Sequence, residues 1–199
     1  MLTDIQIRDL AGRMSIPLEY IGFKDKVPRK LRTNRSYIIN MEDALDRDGK
    51  VNKGSHWVCF QVTEYPNGVK EAIYFDSYGV GPPTDITKRV ESNYNIGVHH
   101  TDRDIQSLMS DACGYYCLAF LHFINACPLR SRHIVRDADT FVSMYDDLEK
   151  STDFKKNEWV LKHFFMSKDP ALRKAVEVIT DDAVKLVQQH QTPEFEATL

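Results

Sequence analysis

Apolar side chains return at roughly helical spacing from Ile5 to Met14, through Leu10, and Asp4 stands where an N-cap would; the chain is expected to open with a short helix. Tyr20 to Pro28 reads as a loop ending in a proline, and Ser36 to Asn40 as a strand followed by a polar segment that closes on Asp48-Gly49-Lys50. His56 to Val62 and Glu71 to Asp76 are β-branched and aromatic runs joined through Pro66-Asn67-Gly68, which predicts an antiparallel hairpin. The glycine and proline stretch from Ser77 to Pro83 must leave the sheet. A helix is expected from Thr84 to Glu91, a short edge strand around Asn95 to His99, and an apolar helix from Gly114 to Asn125 that ends near Cys127-Pro128. Helical patterns continue over Ala138 to Leu148, Asn157 to Phe165 and Ala171 to His190, and the tail 191–199 is expected to be mobile.

Strands gathered between helical regions, rather than alternating with them, indicate an α+β fold: a mixed, largely antiparallel sheet flanked by helices. The 199 residues, 42% of them hydrophobic, suffice for one core, so the expected organisation is a single domain over 1–199. No run of about 18 apolar residues exists to span a membrane, and Met1-Leu2-Thr3-Asp4 lacks the start of a signal peptide, so a protein that is not secreted is expected. The four cysteines have no paired spacing for zinc and are expected to be free thiols, with no metal site. A net charge of −3 gives no overall footprint for nucleic acid. Lys24, Lys26, Arg29, Lys30, Arg32 and Arg35 do make a local basic cluster, which weakly supports a nucleic-acid partner against the commoner reading as solvated surface.

Cys113 heads the apolar helix, where free backbone N–H groups and the positive end of the helix dipole favour a thiolate. An isolated cysteine there would be a small buried hydrophobe. Gly114 argues for more, since a glycine beside the nucleophile costs helix stability and leaves room for a substrate backbone. Of the seven histidines, His56 alone begins a strand whose hairpin partner ends in a carboxylate, Asp76. The hairpin brings both to one end of the sheet, where His56 can serve Cys113 as base and Asp76 can orient the imidazole. Gln106, seven positions before Cys113, offers an amide N–H to join the Cys113 backbone N–H in an oxyanion hole. Trp57, next to the base, can shield the site from water and line a substrate cleft.

These pieces resemble the adenovirus protease (adenain) group and the related proteases of virophages and Polinton/Maverick elements. The resemblance rests on His56-Trp57, on Tyr74-Phe75-Asp76-Ser77-Tyr78-Gly79 followed by Pro82-Pro83, on Gln106-Ser107 leading to Ala112-Cys113-Gly114-Tyr115-Tyr116-Cys117, and on the loop Tyr20 to Pro28. It spans about Tyr20 to Cys127. The order His, acid, Gln, Cys is shared with the proteases of ubiquitin-like modifiers. The resemblance implies a monomeric thiol endopeptidase that cuts viral capsid and core precursor proteins at glycine-containing sites, in the virion and the viral factory of the host cytoplasm. Cys113 would be nucleophile, His56 base, Asp76 orienter (glutamate in adenovirus protease) and Gln106 oxyanion donor, with Trp57 and Gly114 against the substrate. Adenovirus protease is stimulated by a viral peptide and by DNA. Neither is carried over, because this chain is acidic and no cysteine matches the peptide-linking one; no cofactor is expected. A deubiquitinating or deSUMOylating isopeptidase uses the same chemistry and is the alternative reading.

Overall fold

The structure is a computed structural model, and it describes residues 1–126, 128, 132–148 and 154–166. The chain opens with helix α1, Asp4–Arg13, capped by Thr3 rather than Asp4: its hydroxyl accepts from the Gln6 N–H and the Gln6 side chain answers the Thr3 N–H, a reciprocal capping box. Strand β1 follows at Leu18–Phe23, where the sequence pattern suggested a loop, and a single 3-10 turn at Lys24–Lys26 leaves it. The remaining strands are β2, Arg35–Asn40; β3, Trp57–Glu64; β4, Lys70–Phe75; and β5, Val98–His100. Helix α2, Thr84–Tyr94, connects β4 to β5, while α3, Cys113–Asn125, α4, Ile134–Ser143, and α5, Phe154–Met166, follow the sheet. The helix expected over Ala171 to His190, the tail 191–199 and Cys127 lie outside the described residues.

The fold is α+β, with one five-stranded mixed sheet in the order β1-β2-β3-β4-β5. The expected hairpin is present, β3 pairing antiparallel with β4 from Cys59 opposite Phe75 to Glu64 opposite Lys70. The sheet is less antiparallel than the sequence suggested. β2–β3 and β3–β4 run antiparallel, but β1–β2 and β4–β5 run parallel. The difference comes from the two edges. Each edge strand is reached by a connection that crosses over one face, the segment 24–34 for β1–β2 and α2 for β4–β5, and such a crossover delivers a parallel neighbour.

Both faces of the sheet are covered, and strand alternation divides the core accordingly. Ile38, Cys59, Ile73 and Phe75 face α1, α3, α4 and α5, whereas Tyr37, Phe60, Ala72 and Tyr74 face α2 and the segment carrying Val27 and Leu31. β3 in consequence is buried from Trp57 to Thr63. Aromatic stacking locks α3 to the sheet: the Phe75 and Phe120 rings lie 4.3 Å apart and nearly parallel, with Phe141 of α4 edge-on to both. This packing fixes the level at which the first residue of α3 meets the end of β3.

Candidate active site

His56 immediately precedes β3 and Asp76 immediately follows β4, so the hairpin that pairs those strands delivers both side chains to its open end. The His56 Nε2 lies 2.8 Å from Asp76 Oδ1, and both groups are withdrawn from solvent. Oδ1 also accepts the Tyr78 N–H at 2.9 Å, which holds the carboxylate from the turn side. With Nε2 committed to Asp76, Nδ1 is the nitrogen left for the thiol.

Cys113 arrives from the opposite direction, as the first residue of α3. The N-cap, Ala112, offers no side-chain cap, and the Cys113 N–H, at the first helical position, has no partner within the helix. The Trp57 N–H donates to Cys113 Sγ at 3.4 Å, and one helical turn later the Cys117 thiol donates to the Trp57 carbonyl at 3.4 Å. Two sulfurs four residues apart thus clasp the two ends of one strand residue. Burial pushes the Cys117 thiol well above its ordinary range, so it stays protonated and serves as a donor. Cys59, Cys113 and Cys117 are all free and buried.

The imidazole feels both partners. Burial alone would lower the His56 pKa, but the hydrogen bonds to Asp76 and to Cys113, together with their negative charge, outweigh it and raise the pKa to about 9. At neutral pH the ring is an imidazolium between a carboxylate and a sulfur. Tyr78, to which the sequence reading gave no role, stacks on this ring with centroids 4.5 Å apart. Its own hydroxyl is pushed up to about 12 by burial and then by the neighbouring Cys113 and Asp76, so it is a neutral phenol.

Gln106 is 1% exposed and fully engaged. Its Oε1 accepts from the Ser77 hydroxyl at 2.7 Å, while its Nε2 donates to the Ser110 carbonyl at 2.7 Å and to the Tyr78 hydroxyl at 3.3 Å. No hydrogen bond joins it directly to Cys113 among the described residues; its Nε2 reaches instead the hydroxyl of the tyrosine that stacks on the imidazole. The longer bond, to Tyr78, is the one an incoming oxygen could replace.

Trp57 and Gly114, both expected against substrate, both touch the N-terminal segment. The Trp57 indole is buried and donates to the Leu2 carbonyl at 2.9 Å. One edge of it lines a cavity of about 430 Å³ with Leu2, Gly22, Phe23, Asn40 and Lys53. The room that Gly114 leaves is filled by the chain itself: a Cβ there would stand 3.2 Å from Ile7 and 3.3 Å from Leu2. The glycine admits the N-terminal segment against α3. The larger cavity, about 570 Å³, lies at the turn end of the β3–β4 hairpin near Tyr65, Glu71 and Arg132, away from Cys113.

The other described histidines take no part. His122 bonds the Met14 carbonyl, His163 lies against Trp159, His133 is the exposed N-cap of α4, and His99 and His100 are exposed on β5. Among the described residues no group of three or more His, Cys, Asp or Glu side chains could hold a metal ion, and no helix is long and apolar enough to cross a membrane. No protein-family model matches the chain, and no curated protein matches it either.

Proposed function

We propose that this protein is a cysteine endopeptidase in which Cys113, His56 and Asp76 form the triad and Gln106 supplies an oxyanion donor. The observation that supports the reading is the His56 imidazole hydrogen-bonded to Asp76 at the end of the sheet where α3 brings Cys113, whose sulfur helps raise the imidazole pKa. In the proposed cycle Cys113 Sγ attacks a peptide carbonyl carbon, its proton residing on His56. The carbonyl oxygen becomes an oxyanion that takes hydrogen bonds from the Cys113 N–H and from the Gln106 amide hydrogen now aimed at Tyr78. As the C–N bond breaks, His56 gives its proton to the leaving amine and a thioester remains. His56 then removes a proton from water, the resulting hydroxide displaces the sulfur, and the acid product leaves. Asp76 keeps the ring oriented throughout and stabilises its charge.

The substrate follows from the resemblance to the adenain group: viral capsid and core precursors cut at glycine-containing sites during maturation, by a monomer in the virion and the host cytoplasm. Testing requires purified protein, a set of glycine-containing precursor peptides, and ubiquitin and SUMO conjugates of aminomethylcoumarin. Cleavage of the peptides, abolished in a folded Cys113→Ala variant, is the expected result. Turnover that survives Cys113→Ala sinks the assignment, and exclusive turnover of the conjugates replaces the endopeptidase reading with the isopeptidase one.

A further inference from the structure

Two adjacent residues of α5 grip the loop that carries Gln106, one at each end. Asn157, 1% exposed, donates from Nδ2 to the Ile105 carbonyl at 3.0 Å and to the Asp146 carbonyl at 2.7 Å, and its Oδ1 accepts the Asp146 N–H at 2.7 Å. Glu158 Oε1 accepts the Ser110 hydroxyl at 2.7 Å. The same hydroxyl accepts the Ala112 N–H at 3.3 Å, and the Ser110 carbonyl accepts the Gln106 Nε2 at 2.7 Å. Ser110 is therefore the junction of three groups: the carboxylate of α5, the amide of Gln106, and the peptide immediately before Cys113. Its neighbours at the loop tip, Leu108 and Met109, are exposed and give the loop no packing of their own.

Glu158 is half-buried, and drawing a carboxylate even partly out of water beside a single hydroxyl carries a cost. Burial raises the Glu158 carboxyl above its usual range, the Ser110 hydroxyl draws it down, and the nearby Asp111 raises it again. What the carboxylate does provide is a strong, directional acceptor that sets the rotation of Ser110. A fixed Ser110 keeps one Gln106 hydrogen on its carbonyl, which turns the other toward Tyr78 and the reacting corner, and it ties down Ala112 so that the next N–H, of Cys113, points out of the helix start.

We propose that Glu158 is a positioning residue for the oxyanion hole, acting through Ser110 on both donors, the Gln106 amide and the Cys113 N–H. The inference rests on the endopeptidase reading. It touches transition-state stabilisation and leaves the activation of the sulfur, which belongs to His56 and Asp76, alone.

The test separates those two functions. Four variants, Glu158→Leu, Glu158→Gln, Ser110→Ala and the Glu158→Leu/Ser110→Ala double, are compared with the wild type on a peptidyl-Gly-Gly-aminomethylcoumarin substrate. They are also compared on inhibition by a glycinal-terminated peptide aldehyde and on alkylation of Cys113 by iodoacetamide. Alkylation develops no oxyanion and reads the thiolate only. Glu158→Leu is expected to lower kcat by about ten- to a hundredfold with little change in KM, and to weaken the aldehyde in parallel. Its alkylation rate should be unchanged. Glu158→Gln keeps an acceptor oxygen and should recover most of kcat. Ser110→Ala should match Glu158→Leu, and the double variant should lose no more than either, because all three break one link. If Glu158→Leu fails to fold, the Ser110→Ala variant decides alone. Unchanged kcat in folded variants, or alkylation falling together with kcat, overturns the inference while leaving the protease standing. A wild type that neither cleaves the amide nor binds the aldehyde overturns both.

Discussion

His56 sits where burial and charge pull in opposite directions, and charge prevails, with a pKa of about 9 against the ordinary 6.5. Two measurable consequences follow from that sign. A raised histidine pKa contributes stability that is fully present below about pH 6.5 and is lost as pH climbs through 9. Urea denaturation of the wild type should accordingly show stability falling across that window, and Asp76→Asn, which removes the main partner, should flatten the fall. For the proposed reaction, amide turnover should decline above about pH 9, where His56 no longer carries the proton for the leaving amine, while iodoacetamide alkylation of Cys113 persists. Asp76→Asn should cut turnover by about a hundredfold or more and move the alkaline limb to lower pH; an unmoved limb would show that Asp76 does not set the imidazole's charge. His56, Asp76 and Cys113 were legible in the sequence, because strand ends and a helix start are local signals. Tyr78, Ser110 and Glu158 were not, since nothing in a tyrosine two places beyond Asp76, or in a glutamate on a late helix, announces which ring or hydroxyl it will meet.

Among the elements, the β3–β4 hairpin and α3 were readable from their apolar patterns, but β1 was not. Tyr20-Ile21-Gly22-Phe23 carries a glycine and runs into a charged, proline-ended segment, so its local chemistry reads as a loop. It is the edge pairing with β2 that makes it a strand, a contribution from residues about seventeen positions away. The glycine there leaves room for the Tyr20 phenol, which bonds the Phe23 carbonyl. The turn after Asp76 is more demanding. Gly79 has φ +70°, its N–H bonds the Asp76 carbonyl, and a Cβ would fall 2.6 Å from the backbone oxygen of Asp102. Gly79→Ala should destabilise the protein by about 1–3 kcal/mol in thermal or chemical unfolding, and reduce turnover further than stability alone explains, because this turn aims Asp76 and Tyr78. A variant as stable and active as the wild type would show that the loop at Asp102 yields freely.

Over the whole molecule the sheet is a wall with a core on each side, and His56, Asp76 and Cys113 gather at one end of it where α3 begins. Phe120, stacked on Phe75 and edged by Phe141, belongs to the packing that sets the height of α3. Phe120→Ala should cost about 3–5 kcal/mol and lower activity in the surviving folded fraction, measurable by calorimetry together with active-site titration. The α+β class was legible from element order. The balance of parallel and antiparallel pairing was not, because strand direction at each edge depends on whether the connection turns back as a hairpin or crosses a face of the sheet. The clasp of Cys113 and Cys117 on Trp57 has one more result. The residue whose N–H reaches the sulfur is the chain neighbour of His56, so the contact that holds Cys113 to the end of β3 also helps set where the imidazole stands.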